Sequence, residues 1–193
     1  CKQDQKKEYD HQERMQQAAY SLIPPEQKQA THLCIGRSIL KSSTEIEREE
    51  KIFEIVHQMN RGLEFIADPS ERYELARLNY RAGQKARAAL AYRAACDYFQ
   101  IARALLPADS WIHHYDFTLS LYEFSIEAVY LNGNYAEVDE LADAVLKKVR
   151  ALPDQARIYE VRMQALAAQN RIRESIDAGL AILKNMGVAF PER

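Results

Sequence analysis

Apolar residues recur every three or four positions along most of the chain, the spacing of one face of an α-helix. The clearest example runs from Glu45 to Ile66. Sustained apolar–polar alternation, which would indicate strands, is missing, and Asn132-Gly133 lies between helical patterns instead of β-branched runs. The spacing predicts a helix ending near Ile23 and eight helices after it, with approximate bounds 26–40, 45–66, 69–83, 85–106, 111–131, 135–150, 153–168 and 172–186.

Capping residues and short breaks separate the predicted helices. Ser42 to Thr44 offers hydroxyl groups for an N-cap, and Pro69 suits a first helical turn. The segment 111–131 is apolar on most sides, which is typical of a central helix packed by several neighbours. Because the breaks are short, consecutive helices are predicted to be antiparallel neighbours that form four hairpins.

The last three hairpins show a repeat when their turns are aligned on Gly83, Gly133 and Asn170, which are 50 and 37 residues apart. Small or apolar residues then stand five, nine and twelve positions after each turn, where small side chains let two helices approach closely. This resembles the tetratricopeptide repeat. We therefore predict an all-α fold, a degenerate tetratricopeptide-like right-handed solenoid of about four antiparallel helical hairpins. The aligned residues are Ala88, Tyr92 and Ala95; Val138, Ala142 and Val145; and Ser175, Gly179 and Ile182.

Composition and charge narrow the possible partners. Apolar residues make up 47% and charged residues 28% of the 193 residues, which suits one globular domain. The formal net charge of -2 gives no field that would attract nucleic acid or an anionic membrane. No apolar run reaches about 18 residues, and no signal peptide is visible. We expect no nucleic-acid or membrane partner, and a cytoplasmic location in which Cys1, Cys34 and Cys96 are reduced, buried thiols.

No set of residues with catalytic or metal-binding spacing emerges. His113 and His114 would point about 100° apart on a helix, so they cannot chelate one ion together. The carboxylates form runs on helix faces, and the six glycines do not form a phosphate-binding loop. We therefore expect no catalytic residue, no metal, no cofactor and no enzymatic activity in this chain.

Binding is the activity that the repeat predicts, because a solenoid of hairpins exposes a concave face built by the first helix of each hairpin. Aromatic and arginine side chains on such a face are typical interface anchors. The alternative is that several of them are buried against adjacent helices. The predicted partner-binding residues are Tyr73, Arg77, Tyr80, Arg81, Glu123, Glu127, Tyr130, Arg157, Glu160 and Gln164.

Several long segments resemble one protein family. They include "ERMQQAAYSLIPPEQKQATHLCIGRSIL", "REEKIFEIVHQMNRG" and "ERYELARLNYRAGQKARAALAYRAACDYF". Similar segments occur in very large signalling proteins, common in cyanobacteria and other bacteria. Those proteins combine a serine/threonine kinase domain, a STAND-class ATPase, helical repeats, a GAF domain and a sensor histidine kinase. The resemblance implies that residues 1–22 are the tail of an upstream winged-helix/ATPase region and that residues 23–193 form the helical-repeat domain.

Two functions remain open at this point. The resemblance implies a scaffold for protein–protein or interdomain, autoregulatory contacts, with the upstream ATPase and the downstream GAF and kinase modules as partners. The alternative is a small-molecule sensor that binds a ligand between its helices. The eleven tyrosines and the apolar helix that begins at Trp111 motivate that alternative.

Overall fold

The computed structural model describes residues 24–188, which contain ten α-helices, a 3-10 turn at Leu63–Phe65 and no strand. The all-α prediction is therefore confirmed for these residues. The predicted helix up to Ile23 and the tail assigned to residues 1–22 lie outside them. The helices are α1 (Pro25–Ser42), α2 (Glu45–Glu50), α3 (Ile52–Arg61), α4 (Pro69–Ala88), α5 (Tyr92–Ala104), α6 (Ser110–His113), α7 (Tyr115–Leu131), α8 (Tyr135–Leu146), α9 (Leu152–Ala168) and α10 (Ile172–Asn185).

Two of the predicted helix starts are capped, the first of them by a hydroxyl group from Ser42 to Thr44, as the sequence indicated. Thr44 and Glu47 form a reciprocal capping box: the Thr44 hydroxyl accepts from the Glu47 N–H, and the Glu47 carboxylate accepts from the Thr44 N–H at 2.8 Å. The Asp68 carboxylate accepts from the Ser70 N–H at 3.1 Å, immediately before Pro69. These bonds satisfy amide groups that the first helical turn leaves without partners.

Two helices that the spacing predicted as continuous are broken. The segment 45–66 divides at Lys51 (φ −90°, ψ 11°) into α2, which buries no residue, and α3, which buries four. Buried side chains therefore hold α3 against the rest of its unit, whereas no buried side chain holds α2. The segment 111–131 divides at His114 (φ −134°, ψ 41°) into the single turn α6 and the long helix α7.

The predicted turn at Gly83 is wrong. Gly83 lies inside α4, which continues to Ala88, and the predicted helix 85–106 is replaced by the end of α4 and by α5. Gly83 is buried against Phe99, where an added Cβ would stand 2.5 Å from a ring carbon. The glycine serves a close approach between α4 and α5, and the chain turns seven residues later, at Leu90.

The three hairpin turns share one geometry in the corrected register. Leu90, Gly133 and Asn170 all have left-handed backbone angles, with φ of 60°, 79° and 60°. The residue after each donates its N–H to a carbonyl five residues earlier, as in a Schellman motif. The turns are now 43 and 37 residues apart. The residues five, nine and twelve positions later are all buried: Ala95, Phe99 and Ala102; Val138, Ala142 and Val145; and Ser175, Gly179 and Ile182.

The chain divides into two compact units, which meet in sequence between Ala67 and Asp68. In the first unit α1 packs on α3 around Leu33, Ile55 and Met59. In the second unit α4 packs on α5, α5 on α7, α7 on α8, α8 on α9, and α9 on α10. The second helix of each hairpin thus contacts the first helix of the next hairpin. Helix α7 also contacts α4, α6 and α9, which confirms the predicted central helix.

Candidate functional site

A groove lies in the second unit between α7 and α9, the first helices of two consecutive hairpins. Its volume is about 230 Å³. Ile126 and Ile158, which are at most 1% exposed, form the apolar base. Charged and amide side chains surround this base. We call this site the α7–α9 groove, and its lining residues are Glu123, Ile126, Glu127, Arg157, Ile158, Glu160, Val161 and Gln164.

Glu123 is the most buried charged group of the α7–α9 groove, with its side chain 14% exposed. Burial raises the pKa of its carboxyl above the usual value; Arg157 opposes this effect, and the carboxylate of Asp154 adds to it. The Arg157 Nε atom lies 3.5 Å from the Glu123 Oε1 atom, but the Arg157 side chain is 71% exposed. Glu123 is therefore only weakly compensated by its own chain.

The other groove carboxylates differ in their pairing. Glu127 is paired with Arg87 of α4 at 2.5 Å, and the Arg87 guanidinium also stacks 4.6 Å above the Phe124 ring. Glu160 and Gln164 are exposed, and no hydrogen bond or ion pair reaches them from residues 24–188. The groove thus combines the weakly compensated carboxylate of Glu123, the free carboxylate of Glu160 and the free amide of Gln164 above an apolar base. This arrangement suits a cationic group attached to an apolar stem.

The α7–α9 groove contains five of the ten predicted partner-binding residues. They are Glu123, Glu127, Arg157, Glu160 and Gln164. These residues were assigned from the turns at Gly133 and Asn170, both of which the sequence placed correctly.

The remaining predicted residues lie outside the α7–α9 groove and are largely packed within the fold. Tyr73 stacks on His114 with ring centroids 4.2 Å apart. Tyr80 makes edge contacts with Phe117 and Phe124, and its hydroxyl accepts a hydrogen bond from Gln84 at 2.9 Å. These contacts match the alternative of burial against adjacent helices. Arg77 is exposed, Arg81 is half-buried, and Tyr130 lies 6.2 Å from the Tyr135 ring. A partner-binding role for these five residues stays a prediction.

The residues that position the α7–α9 groove were not singled out as site residues from the sequence. Tyr115 donates a hydrogen bond to Asp154 at 2.9 Å and accepts one from the Arg150 N–H at 3.1 Å, which fixes the start of α9 relative to α7. Arg87 reaches Glu127 from 40 positions away. None of these pairs has a helical spacing, so no sequence periodicity could have revealed them.

The cysteines and histidines of the described part of the chain are not clustered for metal binding. Across residues 24–188, no three side chains of the His, Cys, Asp or Glu type are grouped so that they could hold a metal ion. The expectation of buried thiols is wrong for Cys34, which lies on the exposed side of α1 beside buried Leu33. Cys96 is half-buried, and burial together with the carboxylates of Glu137 and Asp97 raises the pKa of its thiol.

Every helix within residues 24–188 is too short or too polar to span a membrane. No family model matches the chain, and no solved structure matches it. The chain is similar to hybrid signal transduction histidine kinase G of Dictyostelium discoideum, with 29% identity over 200 residues that cover 91% of this chain. The chain spans 6% of the length of that protein. The similarity thus relates this chain to one region of a signal-transduction protein.

Proposed function

We propose that this chain is a non-catalytic, tetratricopeptide-like helical-repeat module of a multidomain signalling protein, and that its α7–α9 groove binds a protein segment carrying lysine or arginine. The observation that carries the proposal is the groove itself: an apolar base with one weakly compensated and one free carboxylate, Glu123 and Glu160. Three further properties support a repeat module. They are the shared left-handed turns, the buried five–nine–twelve pattern and the packing of each hairpin on the next.

The charges of the α7–α9 groove favour a cationic occupant. A lysine or arginine placed between Glu123 and Glu160 would gain charge-assisted hydrogen bonds while its methylene stem covers Ile126 and Val161. Arg157 can leave Glu123 at little cost, because an ion pair with one highly exposed partner contributes only about 0–1 kcal/mol. Glu127 keeps Arg87 throughout and needs no ligand.

The partner segment in this proposal belongs to the same signalling protein. Similarity to a small part of a long histidine kinase supports a chain that works beside other modules. The proposed partners are the upstream ATPase and the downstream GAF and kinase modules, with the contact restraining the protein until a signal arrives. This function needs no cofactor, and the proposed location is cytoplasmic.

A sensor for a small molecule is less well supported by the groove. Pockets that enclose drug-sized ligands usually have volumes of about 300–1,000 Å³ and mainly apolar walls. The α7–α9 groove is smaller, at about 230 Å³, and three carboxylates and one guanidinium line it. Its dimensions suit one or two inserted side chains better than an enclosed molecule.

Selection of peptides from a random dodecamer library on the whole chain tests the proposal. We expect the selected peptides to be enriched in lysine and arginine, and Glu160→Lys to weaken their binding by at least about tenfold through like-charge repulsion. The matched control is Glu140→Lys, which makes the same charge change at an exposed position of α8 outside the groove.

Two results would contradict the proposal. One is a peptide pool with no excess of basic residues. The other is equal loss of binding with Glu160→Lys and Glu140→Lys, which would indicate a general charge effect instead of a site.

A further inference from the structure

The outer side of α10 carries apolar residues that no described part of the chain covers. Ile172, Ile176 and Leu180 are 50%, 55% and 41% exposed, and half-buried Leu183 continues their line. Their spacings of four, four and three residues place them along one side of the helix. We call these four residues the α10 stripe. A contiguous exposed apolar patch of this kind typically marks an interaction surface.

The positions of the α10 stripe can be compared with the equivalent positions of α5 and α8, counted from the left-handed turn residue before each helix. Ile176 and Leu183 stand six and thirteen residues after the left-handed turn residue Asn170. In α5 the same positions are Cys96 and Arg103, and both face α7: Cys96 packs against the cluster that contains Leu119 and Ile126, and the Arg103 guanidinium lies over the Tyr122 ring. The next hairpin's first helix therefore covers these positions of α5.

Helix α8 repeats this arrangement with different chemistry. Asp139 of α8 stands six positions after Gly133, and its carboxylate accepts a hydrogen bond from the Nε–H of Arg162 in α9 at 3.0 Å. Asp143, one turn later, accepts from Arg162 Nη1 at 2.8 Å. Leu146, thirteen positions after Gly133, packs against the apolar cluster between α7, α8 and α9. The first helix of the following hairpin thus covers this stripe as well.

We propose that the α10 stripe is a docking surface for an amphipathic helix of a partner segment, seated on α10 as α9 is seated on α8. The covered positions of α5 and α8 include the charged residues Arg103, Asp139 and Asp143. The corresponding positions of α10 are apolar, although Ile176 and Leu180 are exposed to water. The partner helix therefore presents an apolar residue where α9 presents Arg162. This inference does not depend on the α7–α9 groove, because none of the stripe residues lines that groove.

A pair of synthetic peptides tests this assignment against the whole chain. The probe is the α9 sequence, residues 152–168, carrying Arg162→Leu, and the control is the unchanged α9 sequence. We expect the leucine peptide to bind the chain at least about tenfold more tightly than the control, because Ile176 and Leu180 offer no partner to the Arg162 guanidinium.

A double variant provides the reciprocal measurement. Ile176→Asp with Leu180→Asp gives α10 the two carboxylates that α8 uses, at positions whose exposure leaves the folded chain intact. We expect the preference to reverse, so that the peptide retaining Arg162 binds more tightly. Equal affinity of the two peptides, including no binding by either, would overturn the proposal. So would a wild-type dimer that the double variant converts to monomer, since a second copy would then cover the stripe.

Discussion

Replacing Gly83 by alanine should destabilise the second unit even though alanine is the better helix former. The added methyl would stand 2.5, 2.6 and 2.8 Å from three carbons of the Phe99 ring. The ring cannot withdraw easily, because it is fully buried and packs against Tyr80 and Phe124. Overpacking of a core costs about 1–3 kcal/mol, and three such contacts place this site near the upper end. The gain in helix propensity is about 1 kcal/mol, which leaves a net loss of about 2 kcal/mol.

Gly179→Ala is the matched control, since it makes the same change in a buried helical glycine of the same unit. Its methyl would meet the terminal Cε of Met163 at 2.9 Å, and the end of a methionine can move aside. We expect the free energy of unfolding of Gly179→Ala to equal that of the wild type or to exceed it by up to about 1 kcal/mol. Urea unfolding monitored by circular dichroism would show a midpoint about 1 M lower for Gly83→Ala at a slope of about 2 kcal/mol per M. A Gly83→Ala chain as stable as Gly179→Ala would refute the close-approach role of Gly83.

Three further changes follow from local geometry. Leu90→Gly should raise the free energy of unfolding by about 1 kcal/mol, because Leu90 has φ of 60° and is 71% exposed. Asn170→Gly should raise the free energy of unfolding by less, since asparagine tolerates that conformation better. Thr44→Ala should cost about 1 kcal/mol in urea unfolding by removing one half of the capping box, and an unchanged midpoint would refute the cap's role. In the wild-type chain the free energy of unfolding should fall as the pH rises from about 4.5 through the raised pKa of Glu123. Glu123→Gln should remove this fall, because glutamine does not ionise. Parallel plots of unfolding free energy against pH for the two chains would contradict this.

The register of the first hairpin shows what the sequence could not determine. Both placements of the turn give an alanine–aromatic–alanine pattern: Ala88, Tyr92 and Ala95 after Gly83, or Ala95, Phe99 and Ala102 after Leu90. Glycine suits both a turn and a close helix approach, and only the contact with Phe99 distinguishes them. Leucine carries no signal for a left-handed turn. By contrast, Gly133 and Asn170 favour that conformation by residue type, and the sequence placed both turns correctly.

The predicted partner-binding residues that lie in the α7–α9 groove all belong to hairpins whose turn was placed correctly. Residues of α7 and α9 were assigned from correct turns, and five of them converge on the α7–α9 groove. Tyr73 and Tyr80 of α4 instead pack against the Phe117 ring of α7. Those aromatic contacts join residues roughly 40 positions apart, so helical periodicity could suggest an aromatic face but could not show that a neighbouring helix covers it. The ion pair of Arg87 and Glu127 could not be predicted for the same reason.

Burial of Glu123 links the stability of the chain to its proposed binding. Because burial raises the pKa of this carboxyl, the folded chain favours its protonated form, and the free energy of unfolding falls as the pH rises from about 4.5 through that raised pKa. A lysine or arginine in the α7–α9 groove would act in the opposite direction, since an adjacent cation favours the ionised carboxylate and lowers its pKa. Binding would then release a proton from Glu123 in that pH range. The affinity for a basic segment should therefore increase with pH over the same range in which the free chain loses stability.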